Sequence, residues 1–298
     1  MQNYLQPEAD GLRMGDSGRW VAVKLDYLRR YLNAFTTAMR DHWPAMHYID
    51  LFSGSGKCRD RNTENVHLGS PLIAITATHP FTHYCFVDKD AKYIAALRER
   101  CRASPVGHRV ECIAADANQA AHTVVDRIRA LQPRGGGSLN LAFLDPAGLQ
   151  LHWDTVTVLS RIRRVDLIIY YPHLGLNLNM KKAVSSPGET AVDRFFGSAE
   201  WRSIYEDWER KGRPKGLHRS LIDLYKRKLM LLGYSEVLRG SDLRDEPLIR
   251  SSRTRAPLYY LLFASKHPLG HQFWRSVIRK DVHGQMRMLL DGTGTYVL

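Results

Sequence analysis

Short apolar runs alternate with longer helical stretches from residue 46 onward, and this alternation constrains the fold more than any other feature of the sequence. The apolar runs cover residues 47–52, 82–87, 109–114, 139–144 and 165–171. The stretches between them are compatible with helices and cover residues 71–78, 91–101, 118–131 and 153–161. Apolar strands joined by helices are typical of a parallel sheet that is buried on both faces. The sequence therefore predicts an α/β fold with a doubly wound sheet.

The segments before and after this pattern complete the expected organisation. Before it, aromatic and aliphatic residues recur at helical spacing over residues 17–39, which predicts an amphipathic helix. After residue 185, helices are expected at residues 189–196, 200–210, 218–232 and 270–280, and strands at 234–238 and 258–264. The two late strands would form the antiparallel edge of a seven-stranded sheet, with a helical insertion before them. We therefore expect an N-terminal helical extension (1–45), a core (46–185) and a part that completes the sheet (186–298).

Small and acidic residues follow the first three strands of the expected core. The first strand runs into a loop with Gly54 and Gly56, where the backbone can approach a ligand at the carboxyl edge of the sheet. Asp50 lies inside the end of this strand. Asp88 ends the second, where a carboxylate can accept both hydrogen bonds of a ribose diol, and Asp116 ends the third, where it can accept one from an adenine amino group. Each acid alone is more simply a helix N-cap, but three beside a glycine loop predict a nucleoside site.

Together these motifs resemble motifs one to four of class I methyltransferases, which use S-adenosylmethionine (SAM). The matching segments are Asp-Leu-Phe-Ser-Gly-Ser-Gly, Phe-Val-Asp-Lys-Asp, Ala-Asp-Ala and Leu-Asp-Pro, within about residues 46–171. The resemblance implies a Rossmann-like, seven-stranded fold and SAM as the cofactor, without a metal. The residues it implies for binding SAM are Asp50, Phe52, Gly54, Gly56, Asp88, Lys89, Asp116 and Ala117. An NAD site is less consistent with the sequence, because the full G-x-G-x-x-G pattern is missing.

Nearly the whole chain is also similar to the three-Cys-motif partner protein (TcmP) family. The resemblance lies in the N-terminal helix with Lys24, in the glycine loop followed by residues 69–71, and in residues 143–146 and 258–270. The family is named after a neighbour with a cysteine motif. The resemblance therefore implies a genomically neighbouring protein as a partner, and it supports the fold more than the substrate.

The fourth strand ends in Asp145-Pro146, which are the expected catalytic residues. In enzymes that methylate amino groups of nucleic acids, an Asp/Asn-Pro-Pro-aromatic motif occupies this place, and its carbonyl and carboxylate oxygens orient the amine. Residues 147–149 depart from this motif, because they lack the second proline and the aromatic ring. Tyr170 and Tyr171, at the end of strand five, are expected either to supply an aromatic wall for the substrate or simply to fill the strand.

The charge of the chain favours a polyanionic substrate. It has 43 Lys and Arg against 30 Asp and Glu, a net charge of +13, and such surfaces bind phosphates by releasing counterions. Between residues 201 and 255, 14 basic residues face 8 acidic ones. The expected contacts to an RNA or DNA backbone are Lys226, Arg227, Lys228, Arg250, Arg253 and Arg255. A solvated charge run is the alternative.

Other classes of protein are less consistent with the sequence. The four cysteines are scattered, which indicates neither a disulfide framework nor a zinc site. No signal peptide or membrane span is recognisable, so we expect a cytoplasmic protein with no membrane partner. Three hypotheses follow. They are a SAM-dependent methyltransferase acting on an exocyclic or ring nitrogen of a nucleic-acid base, the same enzyme class acting on a small molecule or peptide, and a nucleic-acid-binding or partner protein without turnover.

Overall fold

The computed structural model describes residues 4–134, 137–234 and 246–279, together with the backbone of 289–290 and 296–297. Its strands are β1 (Gly15–Ser17), β2 (Met46–Asp50), β3 (Lys57–Asp60), β4 (Val66–Leu68), β5 (His83–Asp88), β6 (Val110–Ala114), β7 (Leu139–Leu144), β8 (Val165–Tyr171), β9 (Leu248–Arg250), β10 (Pro257–Ala264), β11 (Leu289–Leu290) and β12 (Tyr296–Val297).

The helices lie between these strands in the order that the sequence pattern predicts. They are α1 (Trp20–Met39), α2 (Ser70–Ile75), α3 (Ala91–Arg102), α4 (Ala117–Ala130), α5 (Trp153–Ser160), α6 (His173–Val184), α7 (Ala191–Phe196), α8 (Glu200–Arg210), α9 (Leu217–Leu231) and α10 (Pro268–Ile278). In the part of the chain that the structure describes, none of these helices is both long and apolar enough to cross a membrane.

Seven strands form one mixed sheet in the order β6-β5-β2-β7-β8-β10-β9. The first five are parallel, while β10 runs antiparallel to both β8 and β9. The predicted α/β class and the antiparallel edge are therefore confirmed. The strand order reverses between β2 and β7, and ligands of open α/β sheets bind in the crevice at such a switch point. The carboxyl ends of β2 and β7 lie side by side there, since Asp50 pairs with Phe143.

Helices cover both faces of the sheet, as the apolar strands require. One face packs against α1, α2, α3 and α10, and includes Tyr48 and Phe86 from the strands. The other packs against α4 to α9, and includes Ile49 and Val87. Neighbouring residues of one strand point to opposite faces, so both faces of the central strands are buried.

Three features differ from the sequence-based expectation or lie beyond it. The edge strand next to β10 is β9, whereas most of the strand expected at 234–238 lies outside the described residues, as does the last residue of the helix expected at 270–280. Helix α6 was not predicted, because exposed leucines such as Leu174 and Leu178 leave it without a clear apolar stripe. A small sheet, β1-β3-β4, follows the glycine loop; its strands are too short and polar for the pattern to indicate them.

Candidate functional site

The loop after β2 contains two glycines with left-handed backbone, at which a side chain would be strained. Gly54 has φ +60° and Gly56 has φ +83°. A Cβ atom added at Gly54 would meet no atom within 4 Å, whereas one at Gly56 would lie 2.8 Å from Leu97 Cδ1 and 3.0 Å from Leu72 Cγ. Gly54 therefore borders open space at the carboxyl edge of the sheet, while Gly56 allows the loop to pack closely against α2 and α3.

Asp88, at the end of β5, fixes this loop. Its Oδ2 atom accepts a hydrogen bond from the Gly54 amide at 2.9 Å, and its Oδ1 atom accepts one from the Asp90 amide at 2.9 Å. A carboxylate has about four acceptor positions, so the half-buried Asp88 can still accept bonds from a diol. The next residue, Lys89, is exposed. The N-cap of α3 is not Asp88 but Asp90, which accepts from the amides of Lys92 and Tyr93.

Asp116 caps a helix, as expected for a single acid at a strand-to-helix turn. Its Oδ1 atom accepts hydrogen bonds from the Asn118 amide at 2.9 Å and the Gln119 amide at 3.4 Å. The following Ala117 is buried in the first turn of α4. Asp116 follows β6 and therefore lies at the carboxyl edge of the sheet with Asp88. It remains partly exposed although it caps α4.

Asp50 is completely buried, which corrects its expected direct contact with SAM. Its pKa is raised to about 7, mainly because burial disfavours the charged form; the hydrogen bonds of the Ser70 hydroxyl and the Phe52 amide oppose this rise, and the nearby charges of Asp145 and Asp88 add to it. Its Oδ1 atom accepts a hydrogen bond from the amide of the partly buried Phe52 at 3.1 Å. Asp50 therefore stabilises the glycine loop by its hydrogen bond to Phe52 and presents no exposed atom to a ligand.

Asp145 follows β7 and forms an ion pair with Lys24 of helix α1. Lys24 Nζ donates to Asp145 Oδ2, and the two side chains are only 12% and 15% exposed, respectively. Burial raises the pKa of Asp145, and the charge and hydrogen bond of Lys24 oppose that rise. Pro146, the second expected catalytic residue, is buried next to it. The resemblance included Lys24, but the ion pair was not predicted. The available signal was a lysine between the buried Val21 and Leu28 on the apolar side of α1.

Three tyrosines stand around this ion pair. Burial, and after it the charge of Asp145, raises the pKa of both Tyr170 and Tyr259. The pKa of Tyr48 is raised by burial and by the charges of Asp50 and Asp145. The rings of Tyr170 and Tyr259 lie 4.5 Å apart, and Lys24 Nζ is 5.9 Å from the Tyr259 ring centroid. The hydroxyls of Tyr48 and Tyr259 are buried and make no hydrogen bond within the described residues. Unpaired buried hydroxyls are costly, so this region offers polar partners to a ligand.

Tyr171 does not belong to this group, which corrects its expected role in an aromatic wall. It is completely buried on the opposite face of the sheet, where its ring lies 5.9 Å from that of Phe195. Its hydroxyl is 3.1 Å from His218 Nδ1. His218 in turn stacks on His173, with ring centroids 3.7 Å apart, and burial lowers the pKa of His173 to about 4 and that of His218 to about 3. No sequence pattern indicated this histidine pair.

Residues 226–228, the first group of basic residues expected to contact phosphate, differ in their exposure to solvent. Lys226 is buried and forms an ion pair with the buried Glu246, which corrects its expected contact to phosphate. Lys228 is half-buried; its Nζ atom donates to Ser198 Oγ at 3.2 Å and lies 5.2 Å from the Trp153 ring centroid. Arg227 is exposed. These three residues therefore offer one exposed cation and one half-buried cation rather than three exposed ones.

The second basic group is exposed at the carboxyl edge. Arg250, Arg253 and Arg255 surround the turn between β9 and β10, and Arg250 Nη1 donates to the Arg255 carbonyl at 3.0 Å. Because β10 runs antiparallel to β8, with Tyr260 opposite Tyr171, this turn lies beyond the carboxyl end of β8. The three arginines and the Asp145 region therefore share one edge of the sheet.

The N-terminal segment is tied to the glycine loop by a buried cluster that the sequence did not indicate. Arg100 is completely buried and donates to Asp10, to the Arg13 carbonyl at 3.0 Å and to the Ser55 carbonyl at 2.6 Å. Lys57 Nζ contacts Asp10 Oδ2 at 2.9 Å. Burial alone would raise the pKa of Asp10, but the hydrogen bonds from Arg100 and Lys57 outweigh it and hold the value at about 2.

A cavity of about 600 Å³ lies at the other edge of the sheet. Its lining includes Trp43, Arg164, Asp166, Lys266 and Phe273. These residues precede β2 or β8, begin β8, or follow β10, so they stand at the edge opposite to Asp145. Within the described ranges, no group of three His, Cys, Asp or Glu side chains is placed to hold a metal ion.

Comparison with known proteins gives only distant likenesses. No family model and no curated protein matches the chain. Among solved structures, the O-methyltransferase TomG of Streptomyces achromogenes, in complex with SAM, is similar at 11% identity and a TM-score of 0.40, over 82% of this chain and 80% of that one. A SAM-dependent methyltransferase of Geobacter sulfurreducens, with S-adenosyl-L-homocysteine, is similar at 14% identity and a TM-score of 0.31, over 84% and 98%. A Legionella pneumophila protein of the DUF519 family is similar at 11% identity and a TM-score of 0.38, over 58% and 74%.

Likenesses this distant carry no argument about activity, so the assignment of the fold rests on the chain itself. Its sheet has five parallel strands whose order reverses at β2 and β7, and an antiparallel strand, β10, inserted between β8 and β9. Helices pack on both faces. The chain has a Rossmann-like α/β fold with a mixed seven-stranded sheet.

Proposed function

We propose that the protein is a SAM-dependent methyltransferase. The observation that carries this proposal is the contact between Asp88 Oδ2 and the Gly54 amide, beside open space at Gly54 and next to the β2–β7 switch point. This arrangement supports the proposal, because the acid could accept the hydrogen bonds of a ribose diol and the bare backbone would admit an amino-acid moiety. Residues that would hold SAM are Phe52, Gly54, Asp88, Lys89, Asp116 and Ala117.

The chemistry of these groups suits the cofactor. SAM carries a sulfonium and an ammonium group, and this edge presents the carboxylates of Asp88 and Asp116. When bound, SAM would supply an electrophilic methyl group. The protein would then contribute mainly by holding a nucleophile in line at about 3 Å, and orientation alone contributes several kcal/mol in such reactions.

Asp145 is the proposed orienting residue for the substrate and the acceptor of its proton. It follows β7 at the switch point, is 15% exposed, and has Tyr170 and Tyr259 close to it. A carboxylate that accepts a hydrogen bond from an amino group directs the nitrogen lone pair, as the motif resemblance implies. Tyr170 is partly buried and supplies an aromatic surface beside it.

A nucleic-acid base is the proposed target of methylation. The net charge of +13 and the exposed arginines at 250, 253 and 255 favour a phosphate backbone along the same edge. A base must leave its stack to reach Asp145, and tyrosine rings can receive an extruded base. The TcmP resemblance adds a genomically neighbouring protein as a proposed partner.

A second candidate is a binding protein with the same fold and no turnover. Two observations favour it: the Asp145 carboxylate is already engaged by Lys24, and residues 147–149 lack the aromatic ring of the amino-methylating motif. Under this alternative, nucleic acid or a partner protein would bind without consumption of SAM.

The decisive experiment is a labelled-methyl assay with the full chain, using total tRNA, rRNA and DNA as acceptors, followed by a peptide and small-molecule screen. We expect label in one nucleic-acid fraction, and its loss in Asp145→Asn. Nucleic-acid binding without label, in a protein that does bind SAM, would favour the second candidate. Transfer only to a small molecule would keep the reaction and reject the substrate class.

A further inference from the structure

We propose that Lys24, on the N-terminal helix, is a positioning residue that keeps Asp145 in its ionised form and leaves one carboxylate oxygen for the substrate. The inference rests on the proposed function, because it assigns Asp145 to the reacting group. It extends that function in two ways. It brings α1, which precedes the SAM-binding core, into the active site, and it defines the class of nucleophile that the site accepts.

The geometry of α1 places the lysine at the site. The helix packs on the sheet through Leu25, Leu28 and Leu32, all buried, and Lys24 stands beside this stripe. Its ammonium group reaches across the helix–sheet interface to Asp145 Oδ2 and lies over the Tyr259 ring. Both side chains of the ion pair are almost excluded from solvent. A lysine that served only as surface charge would remain in water, since its long side chain allows this.

The charges around Asp145 make the lysine necessary. The groups that face the carboxyl are Tyr48 and Asp50 on β2, Cys58 on β3, Tyr170 on β8 and Tyr259 on β10. None of these is a cation, and Asp50 adds repulsion when it is ionised. Burial favours the neutral form of a carboxyl group. Lys24, on α1, is therefore the group that favours the carboxylate of Asp145.

The ion pair also has a consequence for the substrate. Lys24 uses Oδ2, and Oδ1 makes no hydrogen bond to any residue in the described part of the chain. An ionised carboxylate only accepts hydrogen bonds, whereas a protonated one would also donate. The substrate that fits is therefore a nucleophile that carries its own N–H or O–H, such as an amino group. A nucleophile that bears no hydrogen, such as an unprotonated ring nitrogen, would find no donor at Asp145.

The test compares Lys24→Met, Lys24→Arg and a control, Arg29→Met, which removes an exposed cation from the same helix. The titration of Asp145 is followed by NMR of protein labelled with 13C in the aspartate carboxyl groups, and the resonance is assigned by its loss in Asp145→Asn. We expect the titration midpoint to rise by about 1 to 3 pH units in Lys24→Met, the usual effect of an adjacent opposite charge. In Lys24→Arg the positive charge is kept, so the midpoint should stay close to the wild-type value. Arg29→Met should leave the midpoint unchanged.

Two results would overturn the inference: an unchanged midpoint in Lys24→Met, or a shift of the same size in Arg29→Met. If Lys24→Met folds poorly, the double variant Lys24→Met/Asp145→Asn should melt at a higher temperature than the single one, because it removes the unpaired buried carboxyl. A double variant that melts no higher contradicts the proposal. SAM titration of the wild type separates this inference from the proposed function: without SAM binding the proposed function fails, while the Asp145 titration still tests the ion pair.

Discussion

Arg100 holds Asp10 through two hydrogen bonds, from Nε to Oδ2 at 2.8 Å and from Nη2 to Oδ1 at 2.7 Å, although the two residues lie 90 positions apart. The same guanidinium donates to the Ser55 carbonyl inside the glycine loop. The N-terminal segment and the loop are thus fixed by one buried cation. The shape of the proposed cofactor edge depends on residues that precede the core in sequence.

Replacing Arg100 by Met should therefore affect both stability and SAM binding. Removing one partner of a buried ion pair costs about 3–5 kcal/mol when the other charge is left unpaired, and the cost here should lie near the lower end because Lys57 still pairs with Asp10. We expect a loss of this size in urea unfolding, and weaker SAM binding by calorimetry, since Ser55 loses its donor. The control is Arg102→Ala, whose ion pair with Glu99 is exposed and should contribute less than about 1 kcal/mol. Equal losses in the two variants would contradict this account.

The two loop glycines should separate binding from packing. In Gly54→Ala the new methyl group enters open space, so we expect only the backbone strain of about 1–2 kcal/mol, but a large loss of SAM affinity. In Gly56→Ala the methyl group would collide with Leu97 and Leu72, and stability should fall further. Thermal melting and SAM titration of both variants test this. Unchanged SAM affinity in Gly54→Ala would argue against a ligand at that backbone.

Asp50 predicts a specific pH dependence of stability. Its pKa is raised from the ordinary value of 3.8 to about 7 in the fold, so between these values the native state binds more protons than the unfolded state. Stability due to this group is therefore greatest below pH 3.8 and declines as the pH rises to about 7, by up to about 4 kcal/mol. Asp50→Asn should remove this decline. Urea unfolding at pH 5, 6, 7 and 8 checks it, and equal slopes in wild type and variant would refute it.

The arginines of the β9–β10 turn should control nucleic-acid affinity. Arg250, Arg253 and Arg255 changed together to Ala should weaken binding of RNA or DNA and reduce its salt dependence, by about 0.9 in log–log slope for each lost phosphate contact on duplex DNA. The matched control changes three exposed arginines near the opposite edge of the sheet to Ala: Arg129, Arg134 and Arg161. Fluorescence anisotropy at several salt concentrations measures the slopes. The same slope in both triple variants would remove the turn from the proposed interface.

The sequence predicted the parallel core well, because apolar runs and helix periods are local signals. Strands β7 and β8 begin and end where the pattern indicated, and the other core strands agree within two residues. The shorter strands and α6 were not predicted, because they consist largely of polar or exposed residues. The local pattern does not determine the strand order, since β7 lies beside β2 and not beside β6, the core strand that precedes it in the chain.

The candidate site was only partly predictable, because several of its determinants are contacts between distant residues. Lys24 contacts Asp145, which lies 121 positions later in the sequence, and no local pattern predicts such a pair. Lys226 was expected at a phosphate because it sits in a basic run, yet its buried partner Glu246 lies outside that run. The period of strand β8 does place Tyr170 and Tyr171 on opposite faces, but it does not say which face carries the site.

Calorimetric titration of the full chain with SAM and S-adenosylhomocysteine tests the central claim most directly, with Asp88→Ala as the test variant. The control is Asp90→Ala, which removes the cap of α3 at a cost of about 1 kcal/mol but leaves the Gly54 contact in place. The account predicts saturable binding in the wild type and in Asp90→Ala, and at least a tenfold weaker affinity in Asp88→Ala. Absence of any binding heat from folded wild-type protein would contradict the assignment of this edge to SAM.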